Sequence, residues 1–112
     1  MGNVLIVARE EMIAALLGLM VEVCGFQPKF AGHGQPVSDA LFDGQLSAVL
    51  IDFDHPACSE DVIETIRARN AVPIIFSAFR RSAEVAMLAN RLATRSFTVP
   101  INCERFSKLL AD

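Results

Sequence analysis

Short apolar runs alternate with longer amphipathic segments along the chain, and this alternation constrains the fold more than any other feature of the sequence. The runs are Val4–Val7, a weaker one near Lys29–Ala31, Ala48–Ile51, Val72–Phe76 and Phe97–Val99. Several of them are continuous stretches rich in β-branched residues, which is typical of strands that are buried on both faces of a parallel sheet. We therefore predict five parallel strands.

Five helices are predicted between and after these strands. The first spans Glu10–Cys24, and its periodicity predicts a buried stripe made of Ile13, Leu16, Leu17, Met20, Val21 and Cys24. The others cover Pro36–Phe42, the residues from Ser59 to about Arg69, Ser82–Ala93, and a last helix that Asn102 caps. Strict alternation predicts a single α/β domain over residues 1–112, a flavodoxin-like doubly wound sheet with strand order 2-1-3-4-5.

Composition argues against several classes of function. No apolar run approaches the roughly 20 residues that span a bilayer, and the N-terminus does not resemble a signal peptide, so we expect a cytoplasmic protein. The three cysteines lie far apart without the spacing of metal ligands, so reduced thiols are expected. Arginines interleaved with aromatic residues, which nucleic-acid binders often show, are absent.

Charge is distributed unevenly along the chain. Residues 1–76 carry four basic and ten acidic side chains, whereas six basic and three acidic side chains follow Phe76. This asymmetry favours a surface for a charged protein partner, although ordinary solvated helix faces would produce it equally well.

Ligands of doubly wound sheets bind at the carboxyl ends of the strands, and the motifs found there resemble one family. Segment 50–56 (Leu-Ile-Asp-Phe-Asp-His-Pro) resembles the phosphoacceptor strand of response-regulator receiver domains, in which an Asp ends the third strand and a Pro follows four residues later. Segment 73–78 (Pro-Ile-Ile-Phe-Ser-Ala) is similar to that family's fourth strand, and Val99-Pro100 lies where the family has Lys-Pro. The resemblance extends over essentially the whole chain.

The resemblance implies that Asp52 occupies the position that accepts a phosphoryl group and that the Ser77 hydroxyl donates a hydrogen bond to that group. A carboxylate that attacks phosphorus meets like-charge repulsion, so positive charge has to surround the transferred group. The family supplies it with Mg²⁺, held partly by two acidic residues after the first strand, and with the fifth-strand Lys. Here the acidic positions are occupied by Ala8 and Arg9 and the Lys position by Val99.

Two consequences follow for the site. Only Asp52, with Asp54 and a displaced Glu10, is left to bind a metal, so we expect weak or absent Mg²⁺ binding and no firm cofactor. Arg9 is expected to form a standing bidentate ion pair with Asp52, unless its guanidinium points into solvent. The family's switch aromatic is replaced by Ser96, Phe97 is expected in the core, and Pro100 is expected to follow a cis peptide bond as in the family.

These features predict an atypical receiver domain that is not an enzyme and acts mainly as a protein-interaction module in two-component or phosphorelay signalling. Its partner would be a histidine kinase, a phosphotransfer protein or an output protein. The alternative is a phosphorylatable receiver that uses Asp52. A flavodoxin-like ligand binder lacks support because the chain has no phosphate-binding loop.

Two surfaces are candidates for the partner. The first is formed by the Ser82–Ala93 helix, the fifth strand and the last helix, and in the family it also mediates homodimerisation. Its basic residues are Arg91, Arg95, Arg105 and Lys108. The second is the outer side of the first helix, to which we assign Met12, Ala15, Gly18 and Leu19. His55 and Cys58, in the loop after Asp52, are expected to be ordinary loop residues.

Overall fold

The computed structural model describes residues 2–31, 46–56, 58–69, 72–80 and 82–111. Within these ranges the chain forms five strands and four helices. In chain order they are β1 (Asn3–Val7), α1 (Glu11–Val23), β2 (Gln27–Phe30), β3 (Leu46–Asp52), α2 (Glu60–Arg69), β4 (Ile74–Ala78), α3 (Ser82–Arg91), β5 (Arg95–Thr98) and α4 (Cys103–Leu110). The additional helix predicted at Pro36–Phe42, like His33, lies outside the described residues.

All five strands form one parallel sheet of order β2-β1-β3-β4-β5, which confirms the predicted topology. The strand order reverses at β1, which lies between β2 and β3, so the chain crosses the sheet there and leaves a crevice at the carboxyl ends of β1 and β3. The register pairs Asp52, the last residue of β3, directly with Ser77 of β4. The predicted phosphoacceptor strand and the predicted hydroxyl strand are therefore neighbours.

Each face of the sheet has its own apolar core, as expected when helices cover both faces of a parallel sheet. On one face, Ile63 and Ile66 of α2 pack with Val85 of α3. On the other face, α1 and α4 pack around Phe106, whose ring makes edge contacts with Phe26 and Phe97 at centroid distances of 5.9 and 6.0 Å. Phe97 is thus a core residue, as predicted.

The inner and outer sides of α1 differ from the prediction at two positions. Leu16, predicted to be buried, is 49% exposed, and it lies with Met12, Leu19 and Val23 on the outer side of the helix. Gly18, assigned to the outer side, is buried, and a Cβ there would approach Cζ of Phe30 to 2.6 Å. The helix is therefore turned about its axis relative to the predicted orientation, so that Gly18 faces inward and the Phe30 ring packs against it.

A disulfide between Cys24 and Cys103 corrects the expectation that all thiols are reduced. Cys24 follows the last residue of α1 and Cys103 is the first residue of α4, and their Cα atoms lie 5.1 Å apart because both helices cover the same face. At the same end of α4, the side chain of Asn102 accepts a hydrogen bond from the Arg105 backbone N–H at 2.8 Å, which confirms the predicted cap.

The guanidinium of Arg95 donates hydrogen bonds to the carbonyl oxygens of Leu109 and Ala111 at the C-terminal end of α4. These contacts attach the last helix to β5, since carbonyl groups at a helix end lack intrahelical donors. None of the helices in the described part of the chain is long and apolar enough to cross a membrane.

Candidate functional site

Two buried polar side chains end neighbouring strands at the crevice. Asp52 is only 3% exposed and Ser77 is fully buried. The Oδ2 atom of Asp52 and the Oγ atom of Ser77 have no hydrogen-bond partner among the described residues. Buried polar atoms normally have a hydrogen-bond partner. Two such atoms without a partner, on paired residues at the ligand-binding edge of this fold, therefore indicate a functional site.

Burial raises the pKa of the Asp52 carboxyl group above its ordinary value. The negative charge of Asp54 raises this pKa further, and Glu10 adds a smaller effect in the same direction. Hydrogen bonds from the backbone N–H groups of Asp54 and Phe53 oppose the shift but do not cancel it. The folded chain therefore holds Asp52 in a setting that disfavours its charged form.

Arg9 does not stabilise the charged form of Asp52. Its side chain is exposed, and the orphaned Oδ2 shows that the predicted bidentate pair between Arg9 and Asp52 is not formed. The positive charge of Arg9 instead acts on His55, whose pKa is lowered first by burial and then by this guanidinium. Arg9 precedes α1 in an exposed turn, from which its long side chain reaches water more favourably than the buried carboxylate.

The donor set at this edge of the sheet lacks the acidic pair with which receiver domains help to hold Mg²⁺. Ala8 and the exposed Arg9 follow β1 at the positions where a receiver domain carries its acidic pair. In the described part of the chain, no group of three or more His, Cys, Asp or Glu side chains could hold a metal ion. Mg²⁺ prefers six oxygen ligands, several of them water, so Asp52 and Asp54 are the carboxylates of the cleft wall that would have to supply the protein's share.

The fifth strand ends at the same edge. The backbone N–H of Val99 donates to the Ala78 carbonyl at 2.8 Å, which holds the position of the family's Lys beside β4. The peptide bond between Val99 and Pro100 is cis, as predicted. Val99 packs against the apolar core that contains Phe106, so this position carries no positive charge toward Asp52.

A cleft of about 500 Å³ opens beside Asp52. Asp52, Phe53 and Asp54 form part of its wall. Its other lining residues are Met12, Ile13, Leu16, Ala78, Phe79 and Arg80. Phe53, Phe79 and Arg80 follow the ends of the third and fourth strands, where the fold predicts ligand-binding residues. The contribution of Met12, Ile13 and Leu16 from α1 is not predicted by the strand-end motifs.

The loop after β3 is held close to the site by Cys58 and His55. The Cys58 thiol donates a hydrogen bond to the Asp52 carbonyl oxygen at 3.4 Å, and the His55 backbone N–H donates to the same oxygen at 2.9 Å. Burial, together with the charges of Asp52 and Asp54, raises the pKa of Cys58 to about 12, so its reactive thiolate form is scarce at neutral pH. Cys58 has the features of a structural thiol.

The structure has the fold of response-regulator receiver domains. It is similar to a response regulator receiver protein from Pseudomonas putida, with 23% identity, a TM-score of 0.71, and coverage of 97% of this chain and 94% of that one. The receiver domain of a sensor histidine kinase from Pseudomonas aeruginosa PAO1, which has a magnesium ion coordinated in its active-site cleft, matches with 16% identity and a TM-score of 0.73, covering 97% of this chain and 93% of that one.

A proposed pilus assembly protein from Burkholderia thailandensis E264 is also similar, with 15% identity, a TM-score of 0.71 and full coverage of both chains. No family model and no curated protein matches the sequence. At these identities the similarity establishes the fold, and the function has to be argued from the site itself.

Proposed function

We propose that this chain is an atypical receiver domain that transmits signals mainly by binding a protein partner, and that it is not an enzyme. The observation that carries the proposal is the state of Asp52. Its buried carboxylate retains the phosphoacceptor position, yet Ala8 and Arg9 replace the acidic pair that would help to hold Mg²⁺, and Val99 replaces the Lys, so the cations that support phosphoryl transfer in the family have no counterpart at these positions.

The surface formed by α3, β5 and α4 is the first candidate for partner binding. Arg91, Arg105 and Lys108 are exposed there, beside Met87, which is 73% exposed. Lys108 also forms an ion pair with Glu104 at 3.7 Å, and such a solvent-exposed pair is weak enough to rearrange on binding. Arg95 is removed from this set, because its guanidinium is engaged by the carbonyl groups of α4.

This surface is compatible with either an output protein or a second copy of the chain. The two cases are distinguished by sedimentation velocity over a range of concentrations, with an Arg91→Glu/Arg105→Glu variant as comparison. A homodimer that dissociates in the variant would support self-association. A monomer at every concentration would assign the basic surface to a different protein.

The outer side of α1 is the second candidate surface. Met12, Leu16, Leu19 and Val23 recur there at intervals of four, three and four residues, and we call these four residues the α1 stripe. This is the spacing with which one helix packs along another, so the stripe suits a helix of a histidine kinase or a phosphotransfer protein.

The alternative function is a receiver that is phosphorylated on Asp52. Its specific support is the direct pairing of Asp52 with Ser77, which places a hydroxyl group beside the acceptor carboxylate. The similarity to a pilus assembly protein, by contrast, is a reminder that the same fold is found in proteins named for other processes.

Titration with Mg²⁺ separates the two functions. We expect no saturable change in the NMR signals of Asp52 to Asp54 at millimolar Mg²⁺. We also expect that Mg²⁺ raises the melting temperature of the wild-type protein no more than it raises that of an Asp52→Asn variant. A saturable response that requires Asp52 would favour the phosphorylatable receiver.

A further inference from the structure

The cleft beside Asp52 is continuous with the α1 stripe. Met12 and Leu16 belong to both, because they line the cleft and are also exposed on the outer side of α1. Phe53 and Phe79 add two aromatic side chains to the cleft wall. A helix that lies along the α1 stripe would therefore pass over the mouth of the cleft, where one of its side chains could enter.

The charges around this combined surface determine whether a basic or an acidic side chain of the partner is favoured. α1 carries no Lys or Arg, and Glu11 and Glu22 are exposed near its two ends. Asp54 lies in the cleft wall, and Glu10 is close enough to Asp52 to affect its titration. These acidic residues outnumber the two basic ones, Arg80 in the cleft wall and the exposed Arg9 before α1. This acidic surround favours a basic partner and opposes the α1 surface of a second copy, which would bring like charges together.

The unpartnered Oδ2 atom of Asp52, a residue of the cleft wall, points to the same chemistry. A buried carboxylate oxygen without a partner destabilises the site, and an external positive group that pairs with it offsets that cost. A divalent metal ion is a poorer candidate, because Ala8 and Arg9 replace the acidic pair and no group of three or more His, Cys, Asp or Glu side chains could hold a metal in the described residues. A guanidinium or ammonium group needs fewer acceptors, and a guanidinium can share its five N–H groups between Asp52 and Asp54.

We propose that the binding partner lays an amphipathic helix along the α1 stripe and inserts a Lys or Arg side chain into the cleft, where the positive group pairs with Asp52. This inference rests on the proposed binding function and specifies the chemistry of the partner. The partner's cation would take the electrostatic place that Lys and metal occupy in ordinary receivers, so docking and neutralisation of Asp52 would be one event.

Two small probes test the cleft without knowledge of the partner. n-Butylguanidinium carries an alkyl stem and a positive head like an Arg side chain, and n-butylurea is its neutral counterpart with similar shape and hydrogen-bonding groups. Each is titrated into the whole protein while backbone NMR signals of residues 52–54 and 78–80 are followed. We expect saturable binding of the cation with a dissociation constant about tenfold lower than that of the urea.

Matched variants locate the interaction. Asp52→Asn is expected to remove the preference for the cation, since only the charge of the carboxylate is lost. Leu16→Ala should weaken both probes, whereas Leu19→Ala, on the same stripe but outside the cleft, should weaken neither. Arg80→Gln should strengthen cation binding, because it removes a positive charge from the cleft wall.

Three results would overturn the inference: equal affinity for the two probes, no saturable binding of either, or a cation preference that survives in Asp52→Asn. Failure of the proposed function would look different. Phosphorylation of Asp52 by a small phosphodonor would contradict a phosphate-independent module, whatever the two probes show.

Discussion

Replacing Asp52 by Asn is expected to stabilise the folded protein at neutral pH. The carboxylate is 3% exposed, its Oδ2 atom has no hydrogen-bond partner, and neighbouring acidic groups repel its charge. Asn has nearly the same shape, and its side-chain oxygen can still accept a hydrogen bond from the backbone N–H of Asp54. The substitution therefore removes an unfavourable charge while it leaves the packing almost unchanged.

The magnitude follows from the cost of an unsatisfied buried group. A buried polar group without a partner costs about 1–3 kcal/mol, and a charged one costs more than a neutral one. Because Asn is still polar, only part of this cost is recovered, and we expect a gain of about 1–2 kcal/mol. For a domain of this size, 1 kcal/mol corresponds to roughly 4 °C, so the melting temperature should rise by about 4–8 °C.

The pH dependence of this difference gives a second test. Folding raises the pKa of Asp52, so between the unfolded and folded pKa values the native state binds more protons than the unfolded state. Wild-type stability from this group therefore increases as pH falls through the folded pKa. The advantage of Asp52→Asn should be complete above the folded pKa of Asp52 and should shrink as the carboxyl group of the wild type becomes protonated.

Urea unfolding followed by circular dichroism measures both quantities, with Glu64→Gln as the control. Glu64 is exposed on α2, so its loss removes one negative charge without affecting a buried group, and a change within about 0.5 kcal/mol is expected. An Asp52→Asn variant that is less stable than wild type at neutral pH would refute the reasoning, because it would reveal a favourable partner for the carboxylate.

Two further perturbations test other contacts. Arg9→Ala should raise the pKa of His55, because the guanidinium that disfavours the imidazolium is removed, and it should change the free energy of unfolding by less than about 0.5 kcal/mol, since Arg9 is exposed. An NMR pH titration and urea unfolding measure these effects, and an unchanged pKa of His55 or a loss above about 1 kcal/mol would contradict them. Thiol labelling of the denatured chain should modify Cys58 alone before reduction and all three cysteines after it, if Cys24 and Cys103 are bonded as in the structure. Mass spectrometry counts the labels, and three labels without reduction would contradict the disulfide.

The strand order could be predicted from the sequence, because apolar runs that alternate strictly with helical segments fit a doubly wound parallel sheet. The ends of strands were harder to predict. The apolar run of the fourth strand ends at Phe76, but β4 continues to Ala78, as the resemblance of segment 73–78 to the family's fourth strand implies, and pairing with β3 brings the polar Ser77 into the sheet. The fifth strand begins earlier than predicted, at Arg95, because an edge strand pairs on one side only and can carry polar residues.

The positions of the site residues that belong to a family motif could be predicted from the sequence, whereas the contacts of their side chains could not. Asp52 and Ser77 lie side by side because the register of β3 and β4 is determined by the fold. The direction of the Arg9 side chain depends on the balance between solvation and pairing, which a sequence does not reveal. The disulfide joins positions 79 residues apart, so it could be recognised only after α1 and α4 were placed on the same face.

The most direct test of the central claim is the intact mass of the protein after incubation with Mg²⁺ and a small phosphodonor such as acetyl phosphate. An Asp52→Asn variant and an ordinary receiver domain serve as controls under the same conditions. We predict no phosphoryl adduct on this chain while the ordinary receiver is labelled, because the cations that stabilise phosphoryl transfer are missing beside Asp52. A single adduct that disappears in Asp52→Asn would contradict the claim and would establish this chain as a phosphorylatable receiver.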